Sequence, residues 1–181
     1  MKKVAVLFAD GMEEIEALTV VDLLRRTQIQ VQTISITNSC RVHGSHSVNI
    51  EADAMLDTVR FEEYDMLVLP GGMEGTENLA NNEKVRRIIE KFIENEKYIA
   101  AICMAPTVLG RMGLLKNRSV TCYPLAEQML SESNVQREPV VQDEKIITGR
   151  GVGAAIDFSL KLMEILVDKA KADEIAGLIV R

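Results

Sequence analysis

One cysteine, Cys103, closes the apolar run Ile99-Ala100-Ala101-Ile102 and is followed by Met104-Ala105-Pro106-Thr107, which reads as the start of a helix. A cysteine so placed sits where a buried parallel strand stops and the next helix begins. Unpaired backbone N–H groups at a helix N-terminus favour negative charge. A thiol held there is expected to ionise more readily than its free pKa of roughly 8.5 implies. Strand-turn-helix elbows of this kind position hydrolase nucleophiles; the alternative is an inert cysteine packed as a small hydrophobe. Glu13-Glu14-Ile15-Glu16 supplies three carboxylates at the start of another predicted helix. Glu13 and Glu16 are three apart and share a face, so one of them is able to point over the sheet edge toward Cys103. A carboxyl beside a thiolate is driven to keep its proton and can then donate to sulfur or shuttle protons. The plainer reading is that these acids complement the helix dipole. Pro70-Gly71-Gly72 offers backbone N–H donors without side-chain obstruction, suited to an oxyanion, or is simply a tight turn.

The elements around these residues alternate. Val4–Phe8 is a continuous apolar run, as expected of a strand buried on both faces. A helix follows over Glu13 to Arg26 with an apolar stripe of Ile15, Leu18, Val20, Val21 and Leu24, then a strand over Val31 to Ile36. Cys40 to Glu51 reads as an exposed hairpin with Gly44 near its turn, and Met66–Leu69 as a third buried strand closed by Pro70-Gly71-Gly72. Glu83 to Asn95 is amphipathic through Val85, Ile88, Ile89, Phe92 and Ile93. The Cys103 turn leads to a helix ending near Gly113, and Ser119-Val120-Thr121 is a short strand. Val140–Gln142 and Lys145–Thr148 pair around Asp143-Glu144. Gly149–Gly153 then leads into a helix over Ala155 to Val167, and a last helix covers Asp173 to Leu178. Such alternation implies βαβ crossovers and a mainly parallel sheet covered on both faces. Ligands in such folds collect outside the carboxyl ends of the strands, so the Asp10–Glu16, Pro70–Gly75 and Cys103 loops are expected to converge at one sheet edge.

A chain of 181 residues fits a single domain spanning 1–181. Apolar content of 47% with 27% charged residues is ordinary for a globular domain. A net charge of −6 argues against general nucleic-acid or anionic-membrane binding, and the absence of Trp against base-stacking platforms. Three cysteines without CxxC spacing suggest neither a disulfide framework nor a metal site. Cys40 and Cys122 read as bystanders. The segment after Met1-Lys2-Lys3 carries no signal-peptide pattern or membrane span, which makes a reducing cytoplasm the expected location. Arg150, in its glycine-flanked loop, is able to bind an anion, but Gly149-Arg150-Gly151-Val152-Gly153 lacks the GxGxxG spacing of dinucleotide sites; no cofactor is expected.

Four ordered motifs carry a resemblance over nearly the whole chain: Ala9-Asp10-Gly11-Met12-Glu13-Glu14-Ile15-Glu16, Leu69-Pro70-Gly71-Gly72, Ala100-Ala101-Ile102-Cys103-Met104-Ala105-Pro106 and Arg150-Gly151-Val152-Gly153. The chain resembles the ThiJ/PfpI superfamily, in the branch of the parkinsonism-associated protein deglycase and its bacterial relatives. The resemblance implies a flavodoxin-like α/β three-layer sandwich with a mainly parallel sheet, of the class I glutamine amidotransferase-like kind, working as a homodimer. It makes Cys103 the nucleophilic, oxidation-sensitive cysteine and Glu16 the acid that hydrogen-bonds it. Gly71 and Gly72 then line the oxyanion region, and Met104 and Ala105 shape the turn and substrate site. Glu13, Tyr123 and Arg150 are weaker candidates. Two departures stand out. Met104 occupies the place of a histidine in the protease-like branch, and Tyr123 the place where deglycase relatives often carry one. Both argue against a Cys-His triad, so proteolysis is the least favoured enzymatic reading. The chain's two histidines, His43 and His46, lie in the 40–51 excursion, and His46 falls where relatives carry an arginine near the partner's site.

The function these features imply is cysteine-dependent turnover of reactive dicarbonyls, such as methylglyoxal, or of their early adducts on amines and thiols, in the manner of a glyoxalase III or deglycase. The alternative is an oxidative-stress sensor or chaperone in which Cys103 becomes a sulfinic acid held by Glu16. A thiamine-biosynthesis role has no pocket signature in the sequence.

Overall fold

The computed structural model describes residues Met1–Arg181. Apolar runs with no polar alternation become the strands at the centre of the sheet, because both of their faces are covered. β1 (Lys3–Phe8), β6 (Met66–Leu69) and β7 (Tyr98–Ile102) are buried almost throughout. The flanking strands are β2 (Gln30–Ser35), β5 (Ala54–Met55), β10 (Val140–Asp143) and β11 (Ile146–Gly149). Together they make a seven-stranded sheet in the order β10-β11-β7-β6-β1-β2-β5. Only the β10–β11 pair is antiparallel. The predicted hairpin is present as β3 (Arg41–His43) paired with β4 (Asn49–Glu51). The predicted short strand, β8 (Ser119–Val120), stands outside the main sheet and pairs with β9 (Asn134–Val135).

Two groups of helices cover the sheet. α1 (Glu14–Arg25), α5 (Ala155–Leu166) and α6 (Lys169–Leu178) pack together; α2 (Met73–Asn81), α3 (Glu83–Glu94) and α4 (Pro106–Arg111) form the second group. The α/β sandwich expected from the sequence is therefore the observed fold. No helix is long and apolar enough to cross a membrane. One continuous core runs through sheet and helices, with Phe8, Phe92 and Phe158 among its largest fully buried side chains. Each such side chain contributes about 1.5–3 kcal/mol relative to an exposed one.

Three expectations change in detail. The α1 stripe is rotated: Ala17, Val20, Val21, Leu23 and Leu24 are buried, whereas Ile15 and Leu18 face outward. α6 begins a turn earlier than its apolar pattern shows, because Asp168 caps it by accepting from the Lys171 N–H at 2.8 Å. α2 and β5 appear where the sequence shows no clear periodicity.

Strand order reverses direction at β1. The chain passes from β1 to β2 on one side, and then to β6 on the other. The loops after β1, β6 and β7 therefore open at the switch point, where α/β sheets bind ligands.

Candidate active site

The loops expected to converge do so through backbone hydrogen bonds. The Glu13 N–H donates to the Gly71 carbonyl at 3.0 Å, the Gly75 N–H to Gly11 at 3.1 Å, and the Cys103 N–H to Gly149 at 2.9 Å. The Tyr123 N–H donates to the Cys103 carbonyl at 2.8 Å. These bonds hold Cys103 at φ +66°, a left-handed conformation unusual for a side-chain-bearing residue. Such a conformation costs about 1–3 kcal/mol and persists where the surroundings over-determine it. Its result is a cysteine turned out of the strand-to-helix path into a cleft of about 690 Å³.

Of the first-helix acids, Glu16 reaches the cysteine. It is fully buried, and its Oε2 accepts the Gly71 N–H at 2.9 Å. Its Oε1 is buried with no hydrogen-bond partner. Burial, and less strongly the charge of Glu13, push its carboxyl up to about 7, against the opposing influence of the Cys103 thiol and the Gly71 N–H. Burial first, and then the Glu16 carboxylate, push the Cys103 thiol well above its ordinary value; the N–H groups of Gly72 and Met104 work the other way. The easy ionisation expected of a helix N-terminus is thus not what the site shows. α4 begins only at Pro106, which has no N–H to offer, and burial outweighs the two N–H groups that do face the sulfur. The two groups titrate as a pair: one negative charge enters near neutral pH, and like-charge repulsion keeps out the second.

The expected oxyanion donors divide. The Gly71 N–H is spent on Glu16 and the Ala105 N–H on the Ile102 carbonyl at 3.0 Å, so neither is available to an oxyanion. Gly72 and Met104 present their N–H groups toward the sulfur and line the cleft. Gly71 is needed for space. A Cβ there would lie 2.6 Å from both the Cys103 Cβ and the Glu16 Oε2. Gly71→Ala is expected to displace the pair, costing roughly 1–3 kcal/mol of stability and about 100-fold in any turnover that depends on their alignment. Chemical denaturation and steady-state kinetics on the same preparation check both. Wild-type rates in a folded G71A protein contradict the assigned packing.

The weaker candidates also reach the cleft, which Glu13, Tyr123 and Arg150 all line. Arg150 pairs with Glu127 at 3.3 Å. Arg137 and Asp157, which also line it, carried no local sequence signal, because they approach only through the fold. Glu14 was missed for the same reason. It accepts the His46 N–H at 2.7 Å through Oε1, and its Oε2 meets the Ser45 hydroxyl at 3.2 Å and the His46 Nδ1 at 3.0 Å. Burial works to raise the Glu14 carboxyl, but the hydrogen bonds from His46 and Ser45 hold it down to about 2; in turn the Glu14 hydrogen bond raises His46. This contact ties the β3–β4 hairpin to the start of α1. Glu13, Glu14 and His46 bring potential metal-ligand atoms within 4.8 Å of one another, and the groups satisfy one another. Cys122 is buried, and its thiol is pushed up to about 11 by burial first, then by Glu127.

Comparison with known proteins gives a consistent picture. The family model described as "DJ-1/PfpI family" matches residues 2–165. The chain is 37% identical over 182 residues to Drosophila melanogaster "Protein dj-1beta", covering 99% of this chain and 97% of that one. It is 30% identical over 181 residues to "Glutathione-independent glyoxalase DJ-1" of Schizosaccharomyces pombe, covering 94% of each. Against Arabidopsis thaliana "Protein DJ-1 homolog B" it is 36% identical, but it spans only 41% of that protein's length, and 44% of homolog A. A crystal structure of a cysteine-to-alanine variant of a Salmonella typhimurium DJ-1 superfamily protein superposes with a TM-score of 0.94 at 39% identity, covering 99% of this chain and 98% of that one.

Proposed function

The chain belongs to the DJ-1/PfpI family, and from that premise we propose that it converts reactive 2-oxoaldehydes, or their early adducts on amines and thiols, into 2-hydroxy acids. The observation that carries this reading is the buried Glu16 carboxyl, raised to about 7 and set against Cys103 at the foot of an open cleft. A general base poised near the working pH is the most effective one.

The chemistry needs no electrons from outside. The Cys103 sulfur bonds to the aldehyde carbon, and its proton goes to the aldehyde oxygen to give a hemithioacetal. The Gly72 and Met104 N–H groups, which face the sulfur, stabilise charge on that oxygen as it forms. Glu16, as carboxylate, takes the hydrogen on the former aldehyde carbon as a proton, leaving an enediolate. Returned to the neighbouring carbon, that proton makes a 2-hydroxy thioester once the hydroxyl proton on the former aldehyde oxygen passes to the former ketone oxygen. Water then cleaves the C–S bond, releasing the hydroxy acid and restoring the thiol. Methylglyoxal gives lactate by this route and glyoxal gives glycolate. Formation of lactate from methylglyoxal by the purified, reduced protein is the experiment that tests it.

A second reading is favoured by the unpartnered Glu16 Oε1. A protonated Glu16 is also able to donate to the oxygen of an oxidised Cys103, which suits a redox sensor.

We also propose that the protein works as a homodimer. Ile15 and Leu18 of α1, Val48 of the hairpin and Ile156 of α5 line one exposed apolar groove, a surface that a lone monomer has little reason to keep. Leu18→Arg is expected to convert a dimer to monomer by light scattering; a parent that is already monomeric removes this part of the proposal.

A further inference from the structure

The cleft is larger than the reaction at Cys103 requires. Volumes of about 300–1,000 Å³ accommodate drug-sized ligands, and this cleft, at about 690 Å³, is filled only in small part by a triose-sized aldehyde. Part of its lining is cationic. Arg137 and Arg150 share one carboxylate, Glu127, at 3.8 and 3.3 Å, so one positive charge there is uncompensated. Asp157, the acid on that side, is already matched by Arg181 at 2.6 Å. Arg150 is partly buried and steadied by the Cys122 carbonyl at 3.5 Å. The residue that follows it, Gly151, neighbours the nucleophile: a Cβ there would lie 3.9 Å from the Cys103 Sγ, in ordinary contact. Glu13 also lines the cleft, and it is matched by His46 at 3.4 Å.

We propose that the cleft is built for a 2-oxoaldehyde whose tail carries a carboxylate. This rests on the proposed turnover at Cys103 and names its substrate class. The tail carboxylate is attracted to Arg150, with Arg137 beside it, and this leaves the dicarbonyl end free to reach the sulfur. A guanidinium fork matches a carboxylate in two parallel hydrogen bonds. The reaction balances as before: one water is consumed, the aldehyde carbon is oxidised to the acid and the neighbouring ketone is reduced to the alcohol. The product is a 2-hydroxy dicarboxylic acid.

The test compares 4,5-dioxopentanoate with its uncharged counterpart 2-oxopentanal, and with methylglyoxal, on the reduced full-length protein. The expected kcat/KM for the carboxylate is roughly tenfold above the uncharged aldehyde, an amount set by a single partly exposed charge-assisted contact, and it shrinks as salt is added. In R150M the ratio falls to about one, while R150K retains part of it. Arg137→Met lowers it partially, and because that side chain is 81% exposed the variant is expected to fold. Equal kcat/KM for the two aldehydes in the parent, or an unchanged ratio in R150M, overturns this inference while methylglyoxal turnover keeps the proposed function standing. No turnover of any of the three overturns both.

Discussion

Cys103→Ser is expected to abolish lactate formation from methylglyoxal, a loss of at least about 1,000-fold, the scale on which enzymes lose rate when their nucleophile is removed. A serine hydroxyl fits the same space and the same backbone, so the variant is expected to fold with unchanged far-UV circular dichroism. The loss follows from chemistry. A hydroxyl is far harder to ionise than a thiol, and no histidine stands beside it to act as base: the cleft is lined here by Met104 and Tyr123. Because Cys103 sits at φ +66° whatever its side chain, the backbone is not relieved by the change, and little stability is gained. Kinetics on C103S with mass confirmation of the parent's reduced thiol checks this. Retention of more than a few per cent of the parental rate places the chemistry elsewhere.

Glu16→Gln is the second large effect, and it moves activity and stability in opposite directions. The amide oxygen still accepts the Gly71 N–H, so the site keeps its shape, but it takes no proton from carbon. Loss of a general base costs about 100- to 10,000-fold. In the parent, kcat is expected to rise with pH through about 7 as Glu16 gives up its proton, and E16Q is expected to lose that limb. For stability, the folded-state carboxyl keeps its proton up to about 7, against an ordinary value of 4.5. Between those limits the folded state binds more protons than the unfolded one, so Glu16 destabilises the fold increasingly as pH rises across that window and by a constant amount above it. Gln carries no such penalty. E16Q is therefore expected to unfold at the same denaturant concentration as the parent, or a lower one, near pH 4. Its stability relative to the parent then grows by roughly 3 kcal/mol by pH 7.5, since each pH unit crossed inside the window contributes about 1.4 kcal/mol. Urea titrations at the two pH values measure it. A variant that loses relative stability as pH rises contradicts a Glu16 protonated in the fold.

Much of this was legible in the sequence, for identifiable reasons. Val4–Phe8, Met66–Leu69 and Ile99–Ile102 announce the central strands because strands covered on both faces carry no polar alternation. The turn residues after them place the three site loops at one edge. α2 is hidden: its first turn contains Gly75, kept because a Cβ there would approach the Met12 Cα to 2.7 Å, and Leu79 is its only fully buried large side chain. A close-approach glycine reads as a loop signal. The outward Ile15 and Leu18 read as core because apolar spacing reports a face, not what covers it. At the site, the motifs single out Cys103 and Glu16, but not the division of labour between neighbouring glycines. Gly71 serves the acid and Gly72 the sulfur, a distinction made by which way each N–H points. Arg150 as an anion-binding candidate was legible from its glycine-flanked loop, but its grouping with Arg137 and Glu127 was out of reach, since the three are separated along the chain and meet only through β10, β11 and the turn after Tyr123.

The most direct test of the Cys103–Glu16 account is the amount of lactate formed when purified protein, with Cys103 shown to be reduced, is incubated with methylglyoxal at neutral pH. Catalytic lactate formation over many turnovers is the predicted result. Consumption of methylglyoxal without lactate, or no consumption at all, contradicts the proposed isomerisation and leaves oxidation of Cys103 as the chemistry this site performs.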